Sequence, residues 1–166
     1  MTMWGFRGRH ALLRMRRPDW EAMIAELARR GAGRRESGAF LLCDRAGEPR
    51  TVTCVVYLDD LDPNCLTGGI ELEGLAYSKL WDICDAEGRR VVGDVHTHPG
   101  ASVHQSGIDA ANPMIALAGH VALIVPHFAQ RSVDAREVGV HRYDGDGWKT
   151  WTGKAAARRL LIRRFV

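Results

Sequence analysis

Short apolar runs, each about the length of one strand, alternate along this chain with segments of helical periodicity. GAFLLC at Gly38–Cys43, TVTCVVYL at Thr51–Leu58, RVVGDVH at Arg90–His96 and the run His120–Val125 have strand length and composition. Between Pro18 and Arg30, Trp20, Met23, Ile24 and Leu27 recur at i, i+3, i+4 and i+7, and Gly31 supplies a stop. This predicts an amphipathic helix. A second helix is predicted over Glu73–Ala86, with Tyr77, Leu80, Trp81 and Cys84 on one side. His10–Met15 reads as a short strand, Asp59–Gly69 as a loop, and Ala135–Tyr143 with Trp148–Thr152 as a hairpin around DGDG. Ser106–Asn112 reads as a short helix, since Asn112 precedes Pro113 and is pushed out of the α region. Gly153–Phe165 is expected to be a basic terminal helix with Ala157, Leu160, Leu161 and Phe165 along one stripe. Interleaved strands and helices imply an α/β (α+β) fold around one central sheet.

The length of 166 residues suits a single domain over residues 1–166, with its core at about 10–152 and the terminal helix at 153–165. With 46% hydrophobic and 26% charged residues, a packed core is expected rather than disorder. The longest apolar run, Val121–Pro126, falls far short of the ~20 residues that span a bilayer, so no membrane partner is expected. MTMWGFRGRH lacks the apolar stretch of a secretory leader, and a cytoplasmic location is the default expectation. The net charge of +3 is unevenly spread: residues 1–35 carry nine arginines against three acids, residues 154–166 five basic residues and no acid, and the body is acidic. Solvated helix faces account for basic ends more simply than nucleic acid does. Cys43, Cys54, Cys65 and Cys84 form no CxxC pair, so neither a cysteine-ligated zinc nor a redox dithiol is indicated. Cys54 and Cys84 read as small buried hydrophobes. A thiol nucleophile at Cys65 would lack an activating neighbour.

The stretch VVGDVHTHPGASVHQSGIDAANP carries the chemistry. In an extended chain His96 and His98 point to one side, about 6.6 Å apart along the strand. Pro99 then turns the chain. Ser106 and Asp109, three apart, share a helix face, and Ser106 is a good N-cap. Two imidazoles and one carboxylate form a three-donor set suited to Zn2+, with a fourth position for water whose pKa would fall to about 7. Such a site also needs a carboxylate that moves protons and a donor for a developing oxyanion.

His96-Thr97-His98-Pro99, six residues, then Ser106-x-x-Asp109 resembles the JAMM motif of the JAB/MPN metalloproteases, H-[ST]-H-P-x6-S-x-x-D. Glu36, sixty residues before His96 in ESGAFLLC, is similar to the family's upstream glutamate at the entry to a core strand. The resemblance covers roughly Trp20–Val125. It is nearest to the short prokaryotic branch associated with bacterial ubiquitin-like conjugation systems. It implies a JAB/MPN fold in which His96, His98 and Asp109 bind Zn2+, Glu36 is general base and then acid, and Ser106 stabilises the oxyanion. It further implies hydrolysis of the amide or isopeptide bond after the C-terminal glycine of a ubiquitin-like protein, in company with E1- and E2-like enzymes. A sulfur-carrier peptidase and a non-catalytic MPN scaffold are the alternatives. Gly93-Asp94-Val95 and Cys43 depart from the family pattern, at an aromatic pair common in eukaryotic members and at a glycine, respectively. The acidic stretch Asp59–Gly69, with Glu71 and Glu73, falls where the family grips its substrate. It is expected to contact an extended, arginine-bearing tail.

Other residues have simpler readings. Asp94 shares the face of His96 and His98 and is a candidate to orient a ligand from behind. His104 reads as an exposed loop histidine and His120 as a structural residue opening a strand. Trp148 and Trp151 read as core or interface aromatics. His10, His127 and His141 carry no signal.

Overall fold

The computed structural model describes residues 10–67 and 69–164. In chain order the elements are β1 (Leu13–Arg16), α1 (Arg17–Gly31), β2 (Gly38–Asp44), β3 (Cys54–Tyr57), α2 (Leu58–Leu61), α3 (Gly74–Glu87) and β4 (Arg89–Thr97). They continue with α4 (Gly107–Ala111), β5 (Val121–Val125), β6 (Gly139–Tyr143), β7 (Trp148–Trp151), α5 (Gly153–Arg159) and β8 (Leu160–Arg163). Six strands form a mixed sheet in the order β3-β2-β4-β5-β6-β7, in which only β4 and β5 run parallel. β1 and β8 pair in parallel as a separate ribbon. The expected α+β class with a central mixed sheet flanked by helices is therefore the observed one.

The pleat of β2 explains the layering. Ala39, Leu41 and Cys43 point into a core shared with Trp20, Met23 and Leu27 of α1, Leu13 and Met15 of β1, and Leu160 of β8. Phe40 and Leu42 point the other way, onto Leu58 and Leu61 of α2 and Leu80 and Cys84 of α3. Alternation thus sorts one strand between two cores, and strands buried on both faces read as continuous apolar runs.

Three expectations need correction. Residues 153–165 are not one helix: α5 ends at Arg159, and Leu160–Arg163 extend beside Leu13–Arg16. A strand buries Leu160 and leaves Leu161 half-buried, whereas the expected helical stripe would bury both; Phe165 lies outside the described residues. Trp81 is 43% exposed, because α3 buries only Ala76, Leu80 and Cys84 and a one-sided helix has no room for a wider stripe. The Asp59–Gly69 segment is not all loop, since α2 covers its start, and its first two aspartates are already engaged. Arg30 Nη1 lies 2.7 Å from both Asp59 Oδ1 and Asp60 Oδ1, tying α1 to α2. Arg30 thereby offsets part of the negative charge of this stretch. Among the described residues, no helix is long and apolar enough to cross a membrane.

Candidate metal centre

Strand register builds the site. Gly38 of β2 lies opposite His96 of β4, and Ser37 continues the ladder by accepting from Thr97 N (2.9 Å) and donating its own N–H to Thr97 Oγ1 (3.0 Å). Glu36, one residue earlier, therefore overhangs the end of β4. Gly38 is required here: a Cβ would meet Val95 O and Leu58 Cδ1, each at 2.8 Å. Period-2 alternation puts Asp94 and His96 on the α3 side of the sheet. His98 N donates to Val125 O (2.8 Å), which carries the same pairing one step past β4.

The 98–105 loop is fixed from three sides. His127, Phe128 and Ala129 form a left-handed turn (φ 55°, 52°, 57°), a conformation costing roughly 1–2 kcal/mol per residue without glycine. Its amides are aimed at the loop: Phe128 N donates to His98 O (2.8 Å) and His127 N to Gly100 O (3.0 Å). His141, fully buried, bonds Val103 O through Nε2 (2.9 Å) and Thr150 Oγ1 through Nδ1 (2.8 Å). Trp148 Nε1 donates to Ala110 O (3.0 Å), tethering α4, which buries no residue of its own. A capping box starts that helix: Ser106 Oγ accepts from Asp109 N (3.1 Å) and Asp109 Oδ2 accepts from Ser106 N (2.8 Å). Because the Ser106 oxygen is the acceptor in that contact, its hydroxyl proton remains available to donate outward.

The three expected ligands converge. His96 Nε2 lies 3.1 Å from His98 Nε2 and 3.7 Å from Asp109 Oδ2, and His98 Nε2 lies 3.4 Å from Asp109 Oδ2. Donors bound at about 2.0–2.2 Å around a tetrahedral ion stand roughly 3.3–3.5 Å from one another. The observed edges bracket that range, so the donors are spaced to hold one metal ion. The other ring nitrogens are backed. His98 Nδ1 faces Ser102 O at 3.1 Å, which leaves Nε2 as the lone-pair donor. His96 Nδ1 faces Asp94 Oδ2 at 3.9 Å.

Electrostatics agree. Burial works to lower the His96 pKa, but the Asp109 and Asp94 carboxylates outweigh it and carry the ring up to about 9. Burial works to raise Asp109, yet His96, His98 and Ser106 hold it far below the usual carboxylate range. A site that draws positive charge so strongly suits a cation, which takes the proton's place on binding.

Glu36, Asp94, His96, Ser106 and Asp109 line one cleft of about 320 Å³, with Ile70, Met114 and Trp148 among its apolar walls. All five motif residues thus meet at one place: four line the cleft and His98 completes the donor triangle. Glu71 also lines it, while His104 is exposed in the loop as expected. Burial pushes the Cys65 thiol up to about 11, the reverse of an activated nucleophile. The sequence reading missed His141, the 127–129 turn and the function of Trp148 as a tether, and gave His120 no partner. Each acts through contacts with residues distant in sequence, and a single chain carries no local signal for that.

No family model matches the chain. Solved structures share its fold. Protein DSY2949 from Desulfitobacterium hafniense is 19% identical with a TM-score of 0.64, over 93% of this chain and 94% of that one. A protein from Salinibacter ruber is 16% identical with a TM-score of 0.53, over 82% and 88%. The JAB1/MPN domain protein AF2198 from Archaeoglobus fulgidus is 17% identical over 86% and 90%, at a TM-score of 0.42 too loose to weigh in the argument. At such identities the likeness is one of fold alone.

Proposed function

We propose that this chain is a zinc-dependent metalloprotease of JAB/MPN type, hydrolysing the amide or isopeptide bond that follows the C-terminal glycine of a ubiquitin-like protein. The observation that carries the reading is the convergence of His96, His98 and Asp109 at tetrahedral donor spacing, in a cleft that also holds Glu36 and Ser106. Zinc, when bound, would supply Lewis acidity and a water of lowered pKa. The chain's own residues do the remainder. Glu36 accepts the proton of the attacking water and returns it to the leaving amine. The Ser106 hydroxyl donates to the oxygen on which negative charge develops. The cleft's apolar walls and the exposed Ile108 beside Asp109 suit a narrow, extended peptide better than a folded surface.

The substrate class rests on the motif's resemblance. A ubiquitin-like protein, its conjugates and neighbouring E1- and E2-like enzymes are the partners this reading expects, in the cytoplasm. Purified protein loaded with one equivalent of zinc should cleave a fluorogenic substrate ending in a ubiquitin-like Gly-Gly tail. Glu36→Ala should lower turnover by at least about 10²–10⁴-fold, the usual contribution of a general base, with zinc content unchanged. Undiminished turnover in that variant would sink the assignment of the base. A chain that takes up no stoichiometric zinc would be a scaffold instead.

A further inference from the structure

Behind the donor triangle lies a buried pair that the proposed chemistry does not use. Asp94 is 2% exposed and His120 is 5% exposed. His120 Nε2 and Asp94 Oδ1 are 2.6 Å apart, a short charge-assisted contact. The second carboxylate oxygen, Oδ2, faces His96 Nδ1 at 3.9 Å, beyond direct hydrogen-bond reach but close enough in a buried setting for the carboxylate to favour an N–H dipole pointed at it. One carboxylate therefore stands between two rings, one of which offers its far nitrogen to the donor triangle. Burying a charge is costly unless a partner satisfies it, so a buried pair in this place calls for a function.

We infer that Asp94 and His120 are positioning residues for the metal centre. Asp94 favours the His96 tautomer with its proton on Nδ1, leaving the Nε2 lone pair toward the ion, and His120 holds Asp94 at the angle that does so. The inference rests on the metal reading above and extends it to two residues outside the motif. The pairing joins neighbouring strands. Asp94 lies in β4, opposite Ala122 of β5, and His120 immediately precedes β5, so the sheet itself sets the carboxylate's aim. The corresponding contact behind His98 uses the Ser102 carbonyl, so each histidine ligand has its own backing.

Zinc and cobalt(II) titrations of the full chain test this. Asp94→Asn and His120→Leu should each weaken zinc binding by about 10–100-fold and alter the cobalt d–d spectrum. His120→Gln, whose amide nitrogen can donate to Asp94 much as the imidazole does, should recover most of the affinity, which a purely packing role for His120 would not allow. Variants that bind zinc as tightly as the wild type, with an unchanged cobalt spectrum, overturn the inference and leave the metal site standing. A wild-type chain that binds no zinc overturns the metal reading itself, and the inference with it. Should the variants fail to fold, the zinc-loaded wild type decides. The His96 Nδ1–H should exchange with water at least about tenfold more slowly than a free imidazole N–H, and fast exchange overturns the inference.

Discussion

At the scale of the residue, Asp109 has two duties. Its Oδ2 caps the start of α4 and is also the oxygen nearest both histidines. The substitution Asp109→Asn separates the two, because an amide oxygen can still accept from Ser106 N while the charge is gone. The helix cap should survive, with a melting temperature close to wild type in the absence of metal. Zinc affinity should fall by more than the 10–100-fold that loss of an outer partner costs. Calorimetric titration beside circular dichroism measures both. That His96 and His98 point to one place was legible because period 2 is fixed by strand geometry, whichever sheet the strand joins. His141 was not legible, since its partner Val103 lies 38 residues away and only the packing of the 98–105 loop against β6 brings them together.

At the scale of the element, the end of the chain is the informative failure. ARRLLIRR has good helix formers and a basic face, and local propensity favours continuing α5. The free strand edge of β1 decides otherwise, since Leu160–Arg163 gain a ladder with Leu13–Arg16 and Leu160 gains the core. Tertiary context overrides propensity because one buried leucine outweighs a few tenths of a kcal/mol per residue of helix preference. Leu160→Ala should cost about 2–4 kcal/mol in urea unfolding, and Leu161→Ala under about 1.5 kcal/mol. Equal costs would restore the helical stripe.

At the scale of the whole molecule, metal and fold are linked by mass action. The donors come from β4, the loop after it and α4, so an ion that binds only the folded chain stabilises all of it. Zinc at 100 times its dissociation constant should add about 2.7 kcal/mol, a rise of roughly 5–10 °C in melting temperature for a domain of this size, reversed by a chelator. A second global test uses pH. Glu26, contacted first by Arg29 and also by Arg30, has its pKa lowered to about 2. A depressed carboxylate contributes stability above its unfolded value of about 4.5, which is lost as pH falls toward 2. Glu26→Gln should therefore flatten the decline in melting temperature between pH 4.5 and 2 and leave the slope above pH 6 unchanged.

The linear order of residues determined the α+β class, most strand and helix positions, and the donor types with their spacing. These follow from local rules: strand alternation, helix periodicity, N-capping and proline's effect on its neighbour. Only the folded chain decided that Glu36 arrives beside His96, that Asp94 and His120 stand behind it, that Arg30 pairs with Asp59 and Asp60, and that Leu160–Arg163 form a strand. Those outcomes depend on which strand pairs with which and in what register, and register is set by burial summed over the whole sheet rather than by any short stretch of chain.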